Sequence, residues 1–563
     1  MRTIEVQYGY ENRAKGGRNM PVRLGIDNRT DAAMEGSVEF LFRQPDGELY
    51  AYAYPLRLTA GETYSASYVV PLSVGADAFW VRLRDSEGKL SETKRVELTQ
   101  SGGEPELFIG LLSDSPEALA YLNGVSVNYG QMKTRTFALS ESDFPEDRRQ
   151  LDAFDVVVIS NYQVSKLSVR QVRALMQWMR NGGVLLFGTG ERVNDTLGVF
   201  APEFLDDMYE QPTVQELSLA ATDGLSVQTP GTEDEAEAPV SLPYVHISLH
   251  GGSEVVSAGE RPLITAANKG SGVLAVSSID LTALHDYASA HTQYTDQLLT
   301  RLLGSARLER LASEAQSVRY GEEWSVETLV DNGAATLLPN LLGYGALLFF
   351  YLLLVGPALY AVLRHFRSER IYRRAAIAVT VFFAGLTWLF SAGSRFRSPF
   401  YSYASIQEAG EDVLSETVYV NLRNPRHRSY RLALEAGSEI VPLATAKQTA
   451  ANSGVSGEEE ADLTVSERGT ERELAVRNPA AFSAKLLRME KSTANEQSFG
   501  FSGDLSLFGD RVSGTVTNRY PYAVNNAFLL FYGKVVALGR MEANETVDVS
   551  ERNVYNIPLN NKP

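Results

Sequence analysis

A chain of 563 residues, 44% of them hydrophobic, is too long for one core and calls for several domains. A net charge of −17 excludes wholesale nucleic-acid binding, because most of the surface repels a polyanion. The absence of cysteine removes disulfides, thiolate metal sites and every cysteine nucleophile.

Residues 1–102 read as an immunoglobulin-like β-sandwich. Strand-like runs recur at VRLGIDN (22–28), SVEFLF (37–42), YSASYVVPL (64–72) and FWVRLRD (79–85). Turn groups separate them: Asn28-Arg29-Thr30-Asp31, Pro45-Asp46-Gly47 and Ala60-Gly61-Glu62. No apolar leader segment occurs in residues 1–30.

Residues 105–305 alternate strand and helix signals, which predicts an α/β domain on a parallel sheet. LFIGLL (107–112), FDVVVIS (154–160) and VLLFG (184–188) have the unbroken apolar character of buried strands. Ser115-Pro116 is expected to open a helix over 115–122. Ser168 and Gln171 predict a capping box ahead of an apolar stripe at Val172, Leu175, Met176 and Met179. LITAAN (263–268) and VLAVSSI (273–279) suggest a closing hairpin, and YTDQLLTRLL (294–303) a last helix. TPGTEDEAEAP (229–239) reads as an acidic solvated insertion, and 306–340 as a linker.

Leu341–Leu363 is an uncharged run of 23 residues, about 34 Å long as a helix, enough for a hydrocarbon core of about 30 Å. A second uncharged run covers 375–392. The expectation is two transmembrane helices joined by the short loop 364–374, which carries Arg364, Arg367, Arg370, Arg373 and Arg374. That asymmetry predicts a cytoplasmic loop and a multi-pass protein of the bacterial plasma membrane, with both large soluble regions outside the cytoplasm. Export of the first region then calls for a signal peptide, expected to have been removed or missed. Residues 400–563 return to strand patterning and predict a second sandwich with a flexible insertion near 449–462. The stretch AGETYSAS (60–67) is matched in kind by ANETVDVS (543–550).

FDVVVIS, LSVRQVRALMQWMRNGGVLLFGTG and PLITAANKGSGVLAVSSIDL resemble the class I glutamine-amidotransferase-like (flavodoxin-like) domain of bacterial membrane proteins. GPALYAVLRHFRSER, at the exit of the first apolar run, is similar to a signature of the same proteins. The resemblance covers roughly 105–305 and 341–375 and implies a membrane-tethered extracytoplasmic module. Amidotransferases of this fold use a cysteine on a strand-to-helix elbow. This chain has none, which implies an inactive relative, a pseudoenzyme.

Candidate site residues lie where the parallel strands end, because ligands of open α/β sheets bind there. They are Ser113, Asp114, Asn161, Tyr162, Thr189 and Gly190. Gly188-Thr189-Gly190 occupies the elbow position, yet a threonine hydroxyl needs a base, and no histidine lies nearby in sequence. His246 and His250 share one strand face without a third ligand, and His285 with His291 is too loose to specify coordination. Asp152 and Asp155 flank a strand start and do not form an acid/base pair. No catalytic residue, metal or cofactor is expected. The leading expectation is a non-catalytic interaction, scaffold or sensing protein of the cell envelope, its partners the lipid bilayer and proteins of a membrane complex. The alternatives are a hydrolase using the crevice and an auxiliary subunit of an envelope transporter.

Overall fold

The computed structural model describes residues 2–556, apart from 45–46, 73–75, 100–104, 208, 220–238, 321–327, 331–340, 367–368, 395–398, 411–412, 435–436, 444–456, 469–470, 509–510, 532–533 and 551. Most of the acidic insertion at 229–239, the first half of the stretch at 449–462, much of the linker at 306–340, and Arg367 lie outside the described residues.

The N-terminal strands alternate buried and exposed side chains. In Asn19–Asn28, Met20, Val22, Leu24 and Ile26 face inward and Arg23 outward. This strand lies between Arg2–Tyr8 and Thr63–Pro71 in a three-stranded sheet. The facing sheet joins Met34–Arg43, Leu49–Leu58, Ala78–Asp85 and Leu90–Glu97, but does not stop there. Leu463–Arg468 pairs in parallel with Leu49–Leu58, setting Leu463 beside Tyr50 and Val465 beside Tyr52. Glu471–Val476 and Tyr430–Leu434 extend it to seven strands.

One sheet and one core are therefore shared between residues before and after the apolar helices. Leu463, Val465, Leu474 and Val476 pack with Phe40, Phe42, Tyr52 and Phe79. The carboxylate of Glu39 accepts from Arg82 at 2.7 Å and Arg84 at 2.8 Å, and Arg84 also reaches Glu460 at 3.2 Å. Tyr52 donates to the Ile440 carbonyl and Gln44 to that of Pro442.

Residues 106–277 build an eight-stranded mixed sheet. Its centre is parallel: Met132–Leu139, Glu106–Leu112, Val156–Ser160, Val184–Gly188 and Gly272–Ser277. Both edges are antiparallel, with Ser126–Val127 on one side and Arg261–Lys269 followed by Ser253–Ala258 on the other. Helix Val169–Arg180 covers one face and starts on the Ser168/Gln171 capping box. Thr292–Leu303 and the start of Ser305–Tyr320 cover the other. The N-terminal unit clamps this body: Lys15 pairs with Asp155, Asn19 N–H donates to Asp152 at 3.0 Å, and the Tyr10 ring lies 4.3 Å from that of Phe154.

Helix Leu341–Leu353 runs through a wide π-type turn, Leu354–Ala358, into Leu359–His365. Pro357 causes that turn, since it has no N–H to donate and its ring crowds the preceding turn. Helix Tyr372–Ser394 returns antiparallel beside it, its Tyr372 hydroxyl donating to the Val355 carbonyl at 3.0 Å. Tyr351 meets Thr380 at 3.2 Å and stacks obliquely on Phe383.

Three expectations about the fold are corrected. Among the described residues 47% are strand and 26% helix, a mostly β protein and not an assembly centred on an α/β flavodoxin-like domain. The helix expected at Ser115 is a 3-10 turn, Pro116–Leu122, without a side-chain cap, whereas the expected closing hairpin is present as the antiparallel pair Arg261–Lys269 and Gly272–Ser277. Nor are there two transmembrane helices: among the described residues only Leu342–His365 has the length and apolar character to cross a membrane. The second helix carries Arg373 and Arg374 in its first turn.

The last unit packs two three-stranded sheets around Val512, Val516, Val536, Leu538, Met541 and Val549.

Candidate functional site

The ends of the parallel strands bring the six predicted crevice residues into one region, then close most of it. Thr189 follows Val184–Gly188 and is fully buried; its hydroxyl donates to the Ser277 carbonyl at 2.6 Å and its N–H to the Ile279 carbonyl at 3.0 Å. Gly190 has φ +62°, and a Cβ there would meet the Asp280 nitrogen at 2.8 Å. Segment 277–281 therefore occupies the space that an exposed elbow needs. Ser160 is engaged too, donating to Asp280 at 2.6 Å and accepting the Leu281 N–H at 3.0 Å.

The open part of the crevice is a charge network centred on Arg192. Its guanidinium donates to Asn161 Oδ1 at 2.6 Å and Asp114 at 3.2 Å, and Nε donates to Asp195 at 3.1 Å. Lys166 reaches the other oxygen of Asp114 at 3.3 Å. Asn161 sits at φ +51°, a conformation asparagine tolerates better than most residues, and its amide donates to Ser115. Ser113 accepts the Ser115 N–H at 3.1 Å.

Tyr162 is buried beneath Lys166, whose ammonium lies 5.2 Å from the ring centre. Burial raises its pKa, and its hydroxyl makes no hydrogen bond among the described residues. Each cation here is held by a carboxylate or amide, and the two hydroxyls nearest the elbow are hydrogen-bonded. The arrangement suits polar recognition better than bond cleavage. Sequence reasoning missed Arg192, Lys166, Ser160 and Asp280; Arg192 stood two residues past Gly190 but had no motif to mark it.

The other candidates disperse. His246 and His250 are both exposed but lie past strand Val240–Tyr244, not on a shared strand face, and His250 contacts Asp206 at 2.9 Å, a hydrogen bond that with Ser248 lowers the pKa of that carboxylate. His285 bonds the Ala118 carbonyl and His291 that of Tyr287. No cluster of three metal-ligating side chains exists among the described residues. Asp152 and Asp155 serve the clamp onto the N-terminal unit.

That clamp adjoins a titratable group the sequence did not suggest. Burial pushes Glu439 up to about 7, reinforced by Asp152 and Glu490 and opposed by a hydrogen bond from Asn19 and by Arg148.

Two domain families match the ends of the chain: Domain of unknown function (DUF8726) over residues 2–99 and Domain of unknown function (DUF8725) over residues 500–562. No curated protein matches. Among solved structures, the chain is similar to Cytoplasmic Protein STM1381 from Salmonella typhimurium LT2, at 12% identity and TM-score 0.25, over 34% of this chain and 99% of that one. It is also similar to Cytoplasmic Protein STM3548 from Salmonella typhimurium, at 15% identity and TM-score 0.23, over 40% and 95%. Exo-beta-1,4-mannosidase Op5Man5 from Opitutaceae bacterium strain TAV5 aligns at 13% identity and TM-score 0.21, over 34% and 35%. Likenesses this weak carry no argument about fold or activity.

Proposed function

We propose that this chain is a non-catalytic, membrane-anchored interaction or sensing protein of the bacterial envelope. The observation that carries the reading is Leu342–His365: 24 residues, apolar throughout most of their length, and only 6% buried within the protein. A core helix of a soluble domain is covered on most sides, whereas Phe349, Phe350, Leu352 and Leu353 stand exposed here, as do Ile377, Val381 and Phe382 on the returning helix. So much contiguous apolar surface needs an apolar solvent, and a bilayer supplies one.

The shared seven-stranded sheet supports a body held on one membrane face, because a bilayer cannot run between hydrogen-bonded strands. In this arrangement the helix pair anchors the body from one side, with Arg364, Arg370, Arg373 and Arg374 at the turn between the two helices. The non-catalytic part rests on the engaged hydroxyl of Thr189 and the paired cations around Asp114. Partners of such a body are proteins of an envelope complex, a transporter among them.

Fractionation tests the reading. The chain is expected to stay with membranes through alkaline carbonate washing, and protease added to intact cells is expected to remove tags placed near residues 235 and 455. Release by carbonate sinks the anchoring; survival of both tags sinks the placement of the body outside the cytoplasm.

A further inference from the structure

The four-stranded sheet that follows the apolar helices has one end close to them. Helix Tyr372–Ser394 and strand Phe400–Ala409 are separated by six residue steps, which reach at most about 22 Å. Register sets Phe400 beside Arg423 and Arg423 beside Ala484, so loops 424–429 and 477–483 sit at that same end. The opposite end, at Gly410, lies against Gly270 of the eight-stranded body, so the first end is the one tied by the short connection to the apolar helices.

This end differs from the rest of the molecule in charge. Loops 424–429 (NPRHRS) and 477–483 (RNPAAFS) contain no Asp or Glu, in a chain of net charge −17. Arg426, His427 and Arg428 are exposed, and the two arginines make no ion pair among the described residues. The loop is not a loose one: buried Asn424 accepts the Arg426 N–H at 3.0 Å and donates to the Arg428 carbonyl at 2.8 Å. Ser429 bonds Asn478, and Phe482 N–H donates to the Asn424 carbonyl at 2.7 Å, which joins the two loops.

The same end carries exposed aromatic rings. Phe482 is held at φ +62°, a costly conformation for a bulky residue, with 46% of its surface exposed. Tyr401 and Tyr403 are more exposed still and lie side by side at the start of the Phe400–Ala409 strand. Aromatic rings with basic side chains next to an apolar helix end are the composition that settles at a membrane–water interface.

We infer that this rim is a lipid-headgroup contact surface, with Arg426 and Arg428 on the phosphates of anionic phospholipids and Phe482 and Tyr401 in the interfacial layer. The inference rests on the membrane reading above and adds a lipid class and a depth to it. Two arginines near an anionic surface each strengthen the contact about fivefold.

The test uses the full chain in nanodiscs of zwitterionic lipid alone or mixed with phosphatidylglycerol. Amide exchange of 424–429 and 477–483 is expected to slow several-fold in the anionic discs, and R426A/R428A to abolish the difference while leaving carbonate resistance intact. R426E/R428E is expected to protect less in anionic than in zwitterionic discs. Equal exchange in both discs for the unaltered chain overturns the rim contact while leaving anchoring untouched. Protection reproduced by inorganic phosphate in zwitterionic discs makes it a soluble-anion site and overturns the lipid assignment. A chain that enters neither disc overturns the membrane reading itself.

Discussion

Asn28 and Asn518 show how one residue type organises this chain. Both are fully buried at strand ends. Asn28 donates to the carbonyls of Ala32 and Thr59, and Asn518 to those of Tyr522 and Glu542. Their backbone N–H groups reach Glu62 and Glu545, inside the two stretches whose sequences echo each other. Asn424 repeats the same turn closure in the middle region. Losing a buried side chain that satisfies two carbonyls costs roughly 1–3 kcal/mol each. Asn28→Ala and Asn518→Ala should therefore lower the thermal midpoint of their own units, and an unchanged midpoint would show that water replaces the amide.

Glu439 gives a dependence on pH. Its folded pKa, about 7, lies above the ordinary value of 4.5. Between those values the folded state binds more protons than the unfolded one, so stability is lost as pH rises from about 4.5 through about 7, by an amount on the order of 3 kcal/mol. Glu439→Gln should flatten thermal midpoints measured at pH 5 and pH 7.5. An equal loss of stability in the variant would assign the effect to another group.

At the scale of elements, the apolar helices are where composition speaks most plainly. Leu342–His365 has few polar groups and no fold partner for most of its surface, so its medium follows from its side chains. The π-type turn at Pro357 does not break it, because Tyr372 supplies a donor to a carbonyl there. An arginine near the middle of such a helix costs about 2.5–3.5 kcal/mol on insertion. Leu352→Arg should accordingly move part of the chain from the carbonate-resistant fraction into aggregates. Full retention would point to a helix that does not pass through the hydrocarbon core. The parallel strands were readable for the same reason, as unbroken apolar runs. Their connections were not, since Ser115-Pro116 opens a 3-10 turn as readily as a helix and only packing selects between them.

For the molecule as a whole, the decisive feature is that the N-terminal unit and the region at 400–500 are not independent domains. Residues 463–476 add two strands to the N-terminal sheet and cover its core, and Glu39, Arg82 and Arg84 make a buried charge cluster with the segment at 459–460. Removing that segment leaves two arginines near an apolar surface with fewer acceptors. A fragment of residues 1–102 should therefore lack a cooperative melt, and regain one when residues 400–500 are supplied. A fragment that folds alone with a sharp transition would show the added strands to be dispensable.

Sequence alone determined the apolar helix, the arginine asymmetry around it, the alternation of the sandwich strands and the Ser168/Gln171 cap. Each is set by neighbours within a few residues along the chain, so hydropathy and capping chemistry suffice. Tertiary structure alone decided the shared seven-stranded sheet, the burial of Thr189 behind 277–281, the network at Arg192, and the gathering of Arg426, Arg428, Phe482 and Tyr401 at one sheet end. Those features depend on pairing between segments tens to hundreds of residues apart. Strand pairing is directed by backbone hydrogen bonds that every residue except proline offers alike, so its partners leave little trace in the side chains.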